Sequence, residues 1–228
     1  MGRRRAAVID PGPDLASHVE VLAAAVSSAE TVSILLTHGH ADHAGAAPAL
    51  AEAVDADVRA PEGVDASGPP LSDGGRVETD EGELVAVHTP GHSADHLCFH
   101  WPRERALFAG DLLLGRGDTT WVADYRGCVA DYLASLERLR GMDLAVVYPA
   151  HGPPLHDVPG ALERFERHRR ERIRQVERAL AERPDADADH LLEAVYGDTI
   201  PRAMHGPARR SLEALVEHVR AGPDAPAR

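Results

Sequence analysis

The chain has 228 residues, 43% of them hydrophobic, and a formal net charge of −13 at pH 7. That length is enough to bury the core of one domain, with room for a small appendage. No apolar run approaches the length of a membrane span and residues 1–30 lack the apolar stretch of a signal peptide, so a soluble cytoplasmic protein without a membrane partner is predicted.

The first quarter of the chain alternates strands and helices. Residues 6–10 predict a strand that ends at the turn cluster Pro11-Gly12-Pro13. Apolar residues at helical spacing then predict a helix over 15–26, with Asp14 as its N-cap. The remaining elements of this part are a buried strand over 32–36 and an alanine-rich helix over 44–54. This order is typical of a layered α/β fold.

The middle of the chain predicts a further sheet. Residues 57–80 are rich in Gly, Pro and Asp, with one short strand over 58–60. A strand over 83–89 precedes a hairpin formed by 97–101 and 106–109. The last elements here are an irregular loop over 115–127, a helix over 129–139 and a buried strand over 143–148. Loops such as 115–127 usually shape the mouth of a site.

The C-terminal part is predicted to be helical. A long helix covers 160–182, shorter helices cover 190–196 and 207–219, and 221–228 predicts a frayed tail. We predict two domains, a catalytic domain over 1–183 and a small helical unit with its tail over 184–228.

The long helix carries many arginines. They stand at 164, 167, 169, 170, 172 and 174. We favour a solvated face in which they pair with Glu163, Glu166 and Glu171 at helical spacings. The alternative is an electropositive rim for an anionic substrate.

Two residue counts add to these predictions. All 24 basic residues are arginine and asparagine is absent, which suggests a GC-rich bacterial genome. The acidic net charge lowers the expectation of nucleic-acid binding without excluding it, since local basic patches can override the global sign. The two cysteines, Cys98 and Cys128, are too few for a disulfide framework and predict buried thiols.

The most informative stretch is Thr37-His38-Gly39-His40-Ala41-Asp42-His43, which follows the strand over 32–36. The carboxyl ends of strands are where α/β proteins place their chemistry. Imidazole suits borderline cations such as Zn²⁺, and the added carboxylate allows the same turn to hold a second ion. His38 and His40 can share one ion, whereas Asp42 and His43 are turned toward another position.

Three later candidates also follow predicted strands. His92 lies in Pro90-Gly91-His92, Asp111 follows Gly110, and His151 precedes Gly152. The adjacent glycines allow the backbone and a metal ion to approach closely. We therefore expect all three side chains to belong to the same site as the first cluster.

The sequence His-x-His-x-Asp-His resembles the signature of the metallo-β-lactamase superfamily, and the Asp10-Pro11-Gly12 turn also matches it. The resemblance implies an α/β fold, a four-layer αββα sandwich, here with a small winged-helix-like C-terminal unit. Members usually open with an extra antiparallel strand pair, whereas only Met1 to Arg5 precede the first strand. We expect either an upstream start or a missing sheet edge.

The superfamily pattern also implies a ligand set for two divalent ions. His38, His40 and His92 would hold the first ion, Asp42, His43 and His151 would hold the second, and Asp111 would bridge them. Zn²⁺ is favoured by these ligands, with Mn²⁺ or Fe as alternatives. A hydroxide held between the ions would be the nucleophile.

Other side chains are expected to assist this chemistry. Asp42 is the predicted catalytic residue, because it can orient the nucleophile and relay a proton to the leaving group. His96, or alternatively Asp95, is predicted to orient a ligand or to meet the substrate.

Three further stretches narrow the resemblance to the branch of β-lactamase-like protein 2 and glyoxalase II. They are residues 108–115, 148–154 and 167–172. This resemblance implies an enzyme that hydrolyses a thioester, ester or lactone of a small or carrier-linked acyl substrate. The alternative is an endoribonuclease acting on single-stranded RNA. The glutathione-thioester motif of glyoxalase II is replaced here by Ala150-His151-Gly152-Pro153.

Overall fold

The computed structural model describes residues 1–197 and 200–222 and divides into two compact units. The first unit comprises Met1–Thr89, Asp95–Arg116 and Asp143–Val158, and the second comprises Pro90–Ala94, Gly117–Met142 and the chain from Pro159 onward. None of the described helices combines the length and the apolar character that a membrane crossing requires.

The first unit begins with a three-stranded parallel sheet. Its strands are β1 (Arg5–Ile9), β2 (Thr31–Leu35) and β3 (Asp57–Arg59), in that order across the sheet. Helix α1 (Ala16–Val26) connects β1 to β2, and the helices α2 (Ala41–Ala44) and α3 (Ala47–Val54) connect β2 to β3. Parallel neighbours need such crossover connections, and the carboxyl ends of β1 and β2 therefore lie at the same edge of the sheet.

A second sheet of five strands completes the first unit. Its order is β4 (Arg76–Thr79), β5 (Gly82–His88), β6 (Leu97–Trp101), β7 (Ala106–Phe108) and β8 (Val146–Tyr148). The first four are antiparallel neighbours, whereas β7 and β8 are parallel. A short 3₁₀ turn, Pro102–Glu104, joins β6 to β7.

Two hydrophobic clusters hold these layers together. One lies between the sheets, where Ala7 and Leu35 of the first sheet meet Leu84, Leu97 and Phe99 of the second. The other packs the opposite face of the first sheet against α1 and α3, and its members include Val19, Ile34, Leu50 and Val58. The first unit is therefore layered as helices, sheet and sheet.

The second unit is helical. Its helices are α4 (Cys128–Arg140), α5 (Val158–Glu182), α6 (Ala188–Tyr196) and α7 (His205–Ala221). The first residue of α5, Val158, still belongs to the first unit. Asp187 caps α6, its side chain accepting a hydrogen bond from the backbone nitrogen of His190 at 2.9 Å. Residues 223–228, most of the predicted tail, lie outside the described residues. The domain division at 183 stays a prediction.

Most predicted elements are confirmed within a few residues, and Cys98 and Cys128 are buried thiols as expected. Strand β4 was missed, because its residues stand in the stretch dominated by turn-forming residues. The helix predicted over 44–54 forms two pieces, and the first begins at Ala41.

Two predictions about single residues are wrong. Asp14 does not cap α1: the N-cap is Leu15, which makes no side-chain cap hydrogen bond. The turn at Pro13, whose carbonyl accepts from the Leu15 nitrogen at 2.8 Å, moves the helix start past Asp14.

The solvated arginine face is confirmed for Arg167, Arg170 and Arg174, which pair with Glu163, Glu166 and Glu171. Arg169, in contrast, is buried.

Candidate metal centre

The loop after β2 places its histidines at two depths. His38 and His43 are buried, His40 is half-buried and Asp42 is exposed. His40 is the N-cap of α2 with an extended backbone (φ −66°, ψ 144°), so the chain changes from extended to helical at this residue. This change explains why His38 and His40 precede the helix while Asp42 and His43 lie on it.

Asp10, at the end of β1, holds this loop in place and was not among the predicted site residues. Its Oδ1 accepts a hydrogen bond from the Thr37 backbone nitrogen at 2.8 Å, and its Oδ2 accepts from the Thr37 hydroxyl at 2.7 Å. Nδ1 of His43 donates to the same Oδ2 at 2.8 Å. Both oxygens are therefore engaged by hydrogen bonds, so Asp10 supports the site, although a ligand atom of Asp10 also lies within 4.8 Å of ligand atoms of His38 and His43. The sequence could have indicated this role, because Asp10 directly follows β1, the strand that pairs with β2.

Four predicted ligands meet in the first unit. Nε2 of His151 lies 3.3 Å from Oδ2 of Asp42 and 3.5 Å from Oδ1 of Asp111. Nε2 of His43 lies 3.5 Å from Oδ2 of Asp111 and 3.8 Å from Oδ2 of Asp42. One ligand atom from each of Asp42, His43 and His151 lies within 4.8 Å of the others. These atoms are close enough to surround a single cation.

The surroundings of His43 are compatible with a bound cation. Its Nε2 is buried and has no hydrogen-bond partner among the described residues, which is costly for a ring nitrogen. Burial alone would lower the pKa of His43, but its hydrogen bond with Asp10 and the negative charges of Asp10 and Asp111 raise it to about 10. The carboxylates therefore favour positive charge at this point, and a divalent ion bound to Nε2 would supply it. Imidazole nitrogens with carboxylate oxygens are a donor set that suits Zn²⁺.

Asp111 is held by its backbone. Its nitrogen donates to Nε2 of His96 at 3.3 Å, and Nδ1 of His96 donates to the Thr89 hydroxyl at 3.0 Å. His96 is fully buried and lies in the turn before β6, whereas its predicted alternative, Asp95, is half-buried. His96 therefore contacts the backbone of Asp111, whereas no such contact is described for Asp95.

Hydrogen bonds define the tautomers of the site histidines. The Thr37 hydroxyl already donates to Asp10, so it accepts from Nδ1 of His38 at 2.9 Å. His43 likewise donates from Nδ1 to a carboxylate. In both rings Nδ1 consequently carries a proton, which leaves Nε2 as the atom that a metal ion would bind. The ring of His40 lies 4.5 Å from that of His38, between centroids.

His92 belongs to the second unit. It is buried, and its Nδ1 donates to the backbone carbonyl of Trp121 at 3.0 Å. The carbonyl can only accept, so the lone pair of His92 is also on Nε2. Its assignment as the third ligand of the first ion stays a prediction.

A model of the metallo-beta-lactamase superfamily matches residues 2–77 and 60–151 of this chain. Among individual relatives, the chain is 35% identical over 180 residues to the lactamase-like protein adaB of Aspergillus niger, covering 76% of this chain and 54% of the relative. It is 31% identical over 214 residues to an atrochrysone carboxyl ACP thioesterase of Aspergillus fumigatus, covering 90% and 49%. The chain thus spans about half the length of these two relatives.

Further matches are a nematode relative and solved structures. The β-lactamase-like protein 2 homolog of Caenorhabditis elegans is 28% identical over 222 residues, covering 92% of this chain and 73% of the relative. A beta-lactamase domain protein from Burkholderia ambifaria superposes with a TM-score of 0.83 at 20% identity, over 96% of this chain and 80% of that one. The protein TTHA1623 in a di-iron-bound form gives 0.53 at 30% identity, over 68% and 84%. The predicted α/β sandwich is confirmed by these likenesses.

Proposed function

Because the chain belongs to the metallo-beta-lactamase superfamily, we propose that it is a metal-dependent hydrolase of a carrier-linked acyl thioester. The observation that carries the proposal is the convergence of Asp42, His43, Asp111 and His151 in the first unit. Two carboxylates and two imidazoles that lie this close together form a donor set that suits a divalent cation.

The proposed ligands are those that the superfamily pattern implies. His38, His40 and His92 would hold one ion, Asp42, His43 and His151 would hold the other, and Asp111 would lie near both. The buried Nε2 of His43 supports this assignment, as does the shared Nδ1-protonated tautomer of the supported histidines. We favour Zn²⁺ for this donor set, and the di-iron form of a relative keeps iron as the alternative.

Bound divalent ions would supply Lewis-acid activation of a water molecule and of the substrate carbonyl. The side chains of the chain then perform three tasks. Asp10 holds His43 in the tautomer that presents Nε2, and His96 holds the backbone of Asp111. Asp42, the exposed carboxylate of the group, takes a proton from the attacking water and passes it to the leaving sulfur. A C–O bond forms as the C–S bond breaks, and the products are a carboxylic acid and a thiol.

The name of a relative suggests a thioester substrate, and the net charge of −13 makes RNA the less favoured substrate. The Aspergillus fumigatus protein is named as a carboxyl ACP thioesterase, which makes a carrier-linked acyl group the first substrate class to test. RNA cleavage is the second candidate, because the chain resembles the β-lactamase-like protein 2 branch over 92% of its length. The arginine-rich helix α5 gives little support to RNA binding, since Arg167, Arg170 and Arg174 are paired with glutamates.

The test is a metal analysis followed by a substrate panel. The panel contains acyl thioesters of N-acetylcysteamine, an acyl-loaded carrier protein, lactones, bis(p-nitrophenyl) phosphate and a labelled single-stranded RNA. We expect thioester turnover that is lost on chelation and restored by zinc, with little dependence on salt. Activity that survives exhaustive chelation would refute the metal-dependent mechanism. RNA cleavage that falls steeply with salt, without thioester turnover, would favour the second candidate.

A further inference from the structure

Arg169 of α5 is a buried cation inside the second unit. The residue is 3% exposed, whereas the side chain of the neighbouring Arg170 is 54% exposed and pairs with Glu166. Burial lowers its pKa, and within the described part of the chain Arg169 forms no salt bridge with a carboxylate. Burying a guanidinium without a counter-ion is costly, so its contacts must matter to the structure around it.

Arg169 makes two kinds of contact. Its Nη2 donates to the backbone carbonyl of Thr120 at 3.1 Å. Its guanidinium carbon lies 5.3 Å from the ring centroid of Tyr132 on α4, within the range of a cation–π interaction. A planar guanidinium can serve a carbonyl and an aromatic face at once, which a lysine ammonium does less well.

Both contacts involve residues that lie next to groups in contact with His92 or with the backbone before it. The carbonyl next to that of Thr120 is the carbonyl of Trp121, and it accepts the hydrogen bond from Nδ1 of His92 at 3.0 Å. The loop that Arg169 holds is thus the loop that fixes the tautomer of His92 and the rotation of its ring.

The other contact supports the backbone before His92. A Cβ atom placed on Gly91 would lie 2.6 Å from Cα and Cβ of Tyr132, so this glycine packs directly on the tyrosine. One turn further along α4, the Ser135 hydroxyl donates to the carbonyl of Pro90 at 2.7 Å. Helix α4 therefore positions the Pro90-Gly91 backbone, and Arg169 packs on the tyrosine of that helix.

We propose that Arg169 is a positioning residue for His92, acting through the Thr120–Trp121 backbone on the ring and through Tyr132 on the Pro90–Gly91 backbone. The inference rests on the proposed function, in which His92 is a metal ligand. Residues that orient a ligand typically change metal affinity by about 10–100-fold when they are removed. Arg169 would act in this way although it touches neither metal nor substrate.

The test compares Arg169→Met, which keeps much of the side-chain volume, with the exposed Arg170→Met as the matched control. Long-range ¹H–¹⁵N NMR of the metal-free proteins reports the tautomer of each histidine, and zinc titration reports affinity. We expect Arg169→Met to lose the single Nδ1-protonated tautomer of His92 and to bind one zinc equivalent about 10–100-fold more weakly. His43, which is held by Asp10, should keep its protonation state in both variants.

Several results would overturn the proposal. An unchanged His92 tautomer with unchanged zinc affinity in folded Arg169→Met would do so, and so would equal losses in Arg170→Met. If Arg169→Met fails to fold, Arg169→Lys keeps the charge, and wild-type zinc affinity in that variant would count against the inference. His92 protonated at Nε2 in the wild-type protein would overturn it without any variant. If the wild-type protein binds no divalent metal, but Arg169→Met shows the expected change in the His92 tautomer, the proposed function would be refuted instead.

Discussion

Nδ1 of His43 donates to Oδ2 of Asp10 at 2.8 Å, and this bond joins the ends of β1 and α2 in the centre of the candidate site. The same carboxylate accepts both hydrogen bonds of Thr37. One side chain therefore determines the tautomer of a predicted ligand and the course of the loop that carries two others.

We expect Asp10→Asn to weaken zinc binding at one equivalent by about 10–100-fold while the protein stays folded. The amide is isosteric, but it accepts more weakly and can present its NH₂ group to His43, which would favour the wrong tautomer. Zinc titration and circular dichroism measure the two effects. Asp14→Asn, an exposed aspartate that does not cap α1, is the control. Unchanged zinc affinity in Asp10→Asn would contradict the role given to Asp10.

We expect Asp111→Ala, and equally His40→Ala, to abolish thioester hydrolysis in a folded protein. A loss of at least about a thousandfold in kcat/KM is expected, equivalent to roughly 4 kcal/mol of transition-state stabilisation. The reason is that each variant removes a proposed ligand, and in Asp111→Ala the carboxylate 3.5 Å from both His43 and His151 is lost. Asp143→Ala removes an exposed aspartate that pairs with Arg105 and should retain activity. Near-normal turnover in folded Asp111→Ala would refute the site.

Gly110 is expected to tolerate no side chain. Its φ is +48°, and an added Cβ would lie 2.6 Å from the Thr37 hydroxyl and 2.7 Å from Nε2 of His96. Gly63 is a matched control, because its φ is +91° but an added Cβ meets no described atom within 4 Å. Gly110→Ala should therefore lower the free energy of unfolding by about 1–3 kcal/mol more than Gly63→Ala does, as measured by urea denaturation. Equal losses would show that backbone strain alone matters.

Glu166 should make stability depend on pH. Its hydrogen bonds to Arg170 and then to Arg140 lower its pKa, outweighing the effect of burial. A carboxyl whose pKa is lower in the folded state stabilises the fold above its unfolded pKa, and loses that contribution as pH falls through the folded value.

Glu166→Gln should therefore lower the free energy of unfolding by about 0.5–1 kcal/mol at pH 7, and by less at low pH. Urea denaturation at pH 7 and pH 3 measures the difference. Glu163→Gln, whose partner Arg167 is 3.9 Å away and exposed, should show little change at either pH. A Glu166→Gln loss that is the same at both pH values would contradict this account.

Much of the fold was accessible from local patterns. Strands β1, β2, β5, β6 and β7 were predicted from apolar runs and alternation, and the long helices from their periodicity. Strand β4 was not, because Arg76 to Thr79 stand among turn residues and form a strand only by pairing with β5. The start of α1 was also misjudged, since the Pro13 turn rather than the capping preference of Asp14 decides it.

What the sequence alone determined is the list of candidate ligands. His38 and His43 follow a strand of the first sheet, whereas Asp111 and His151 follow neighbouring strands of the second sheet. The ends of strands are where α/β proteins place their chemistry, which is why these positions could be listed. Only the tertiary structure decided which groups support them. Asp10 became a partner of His43, and Arg169 became a buried contact of Tyr132, through elements distant in the chain. A periodic pattern describes one helix face or strand face at a time, whereas burial and hydrogen bonding depend on the element that covers it.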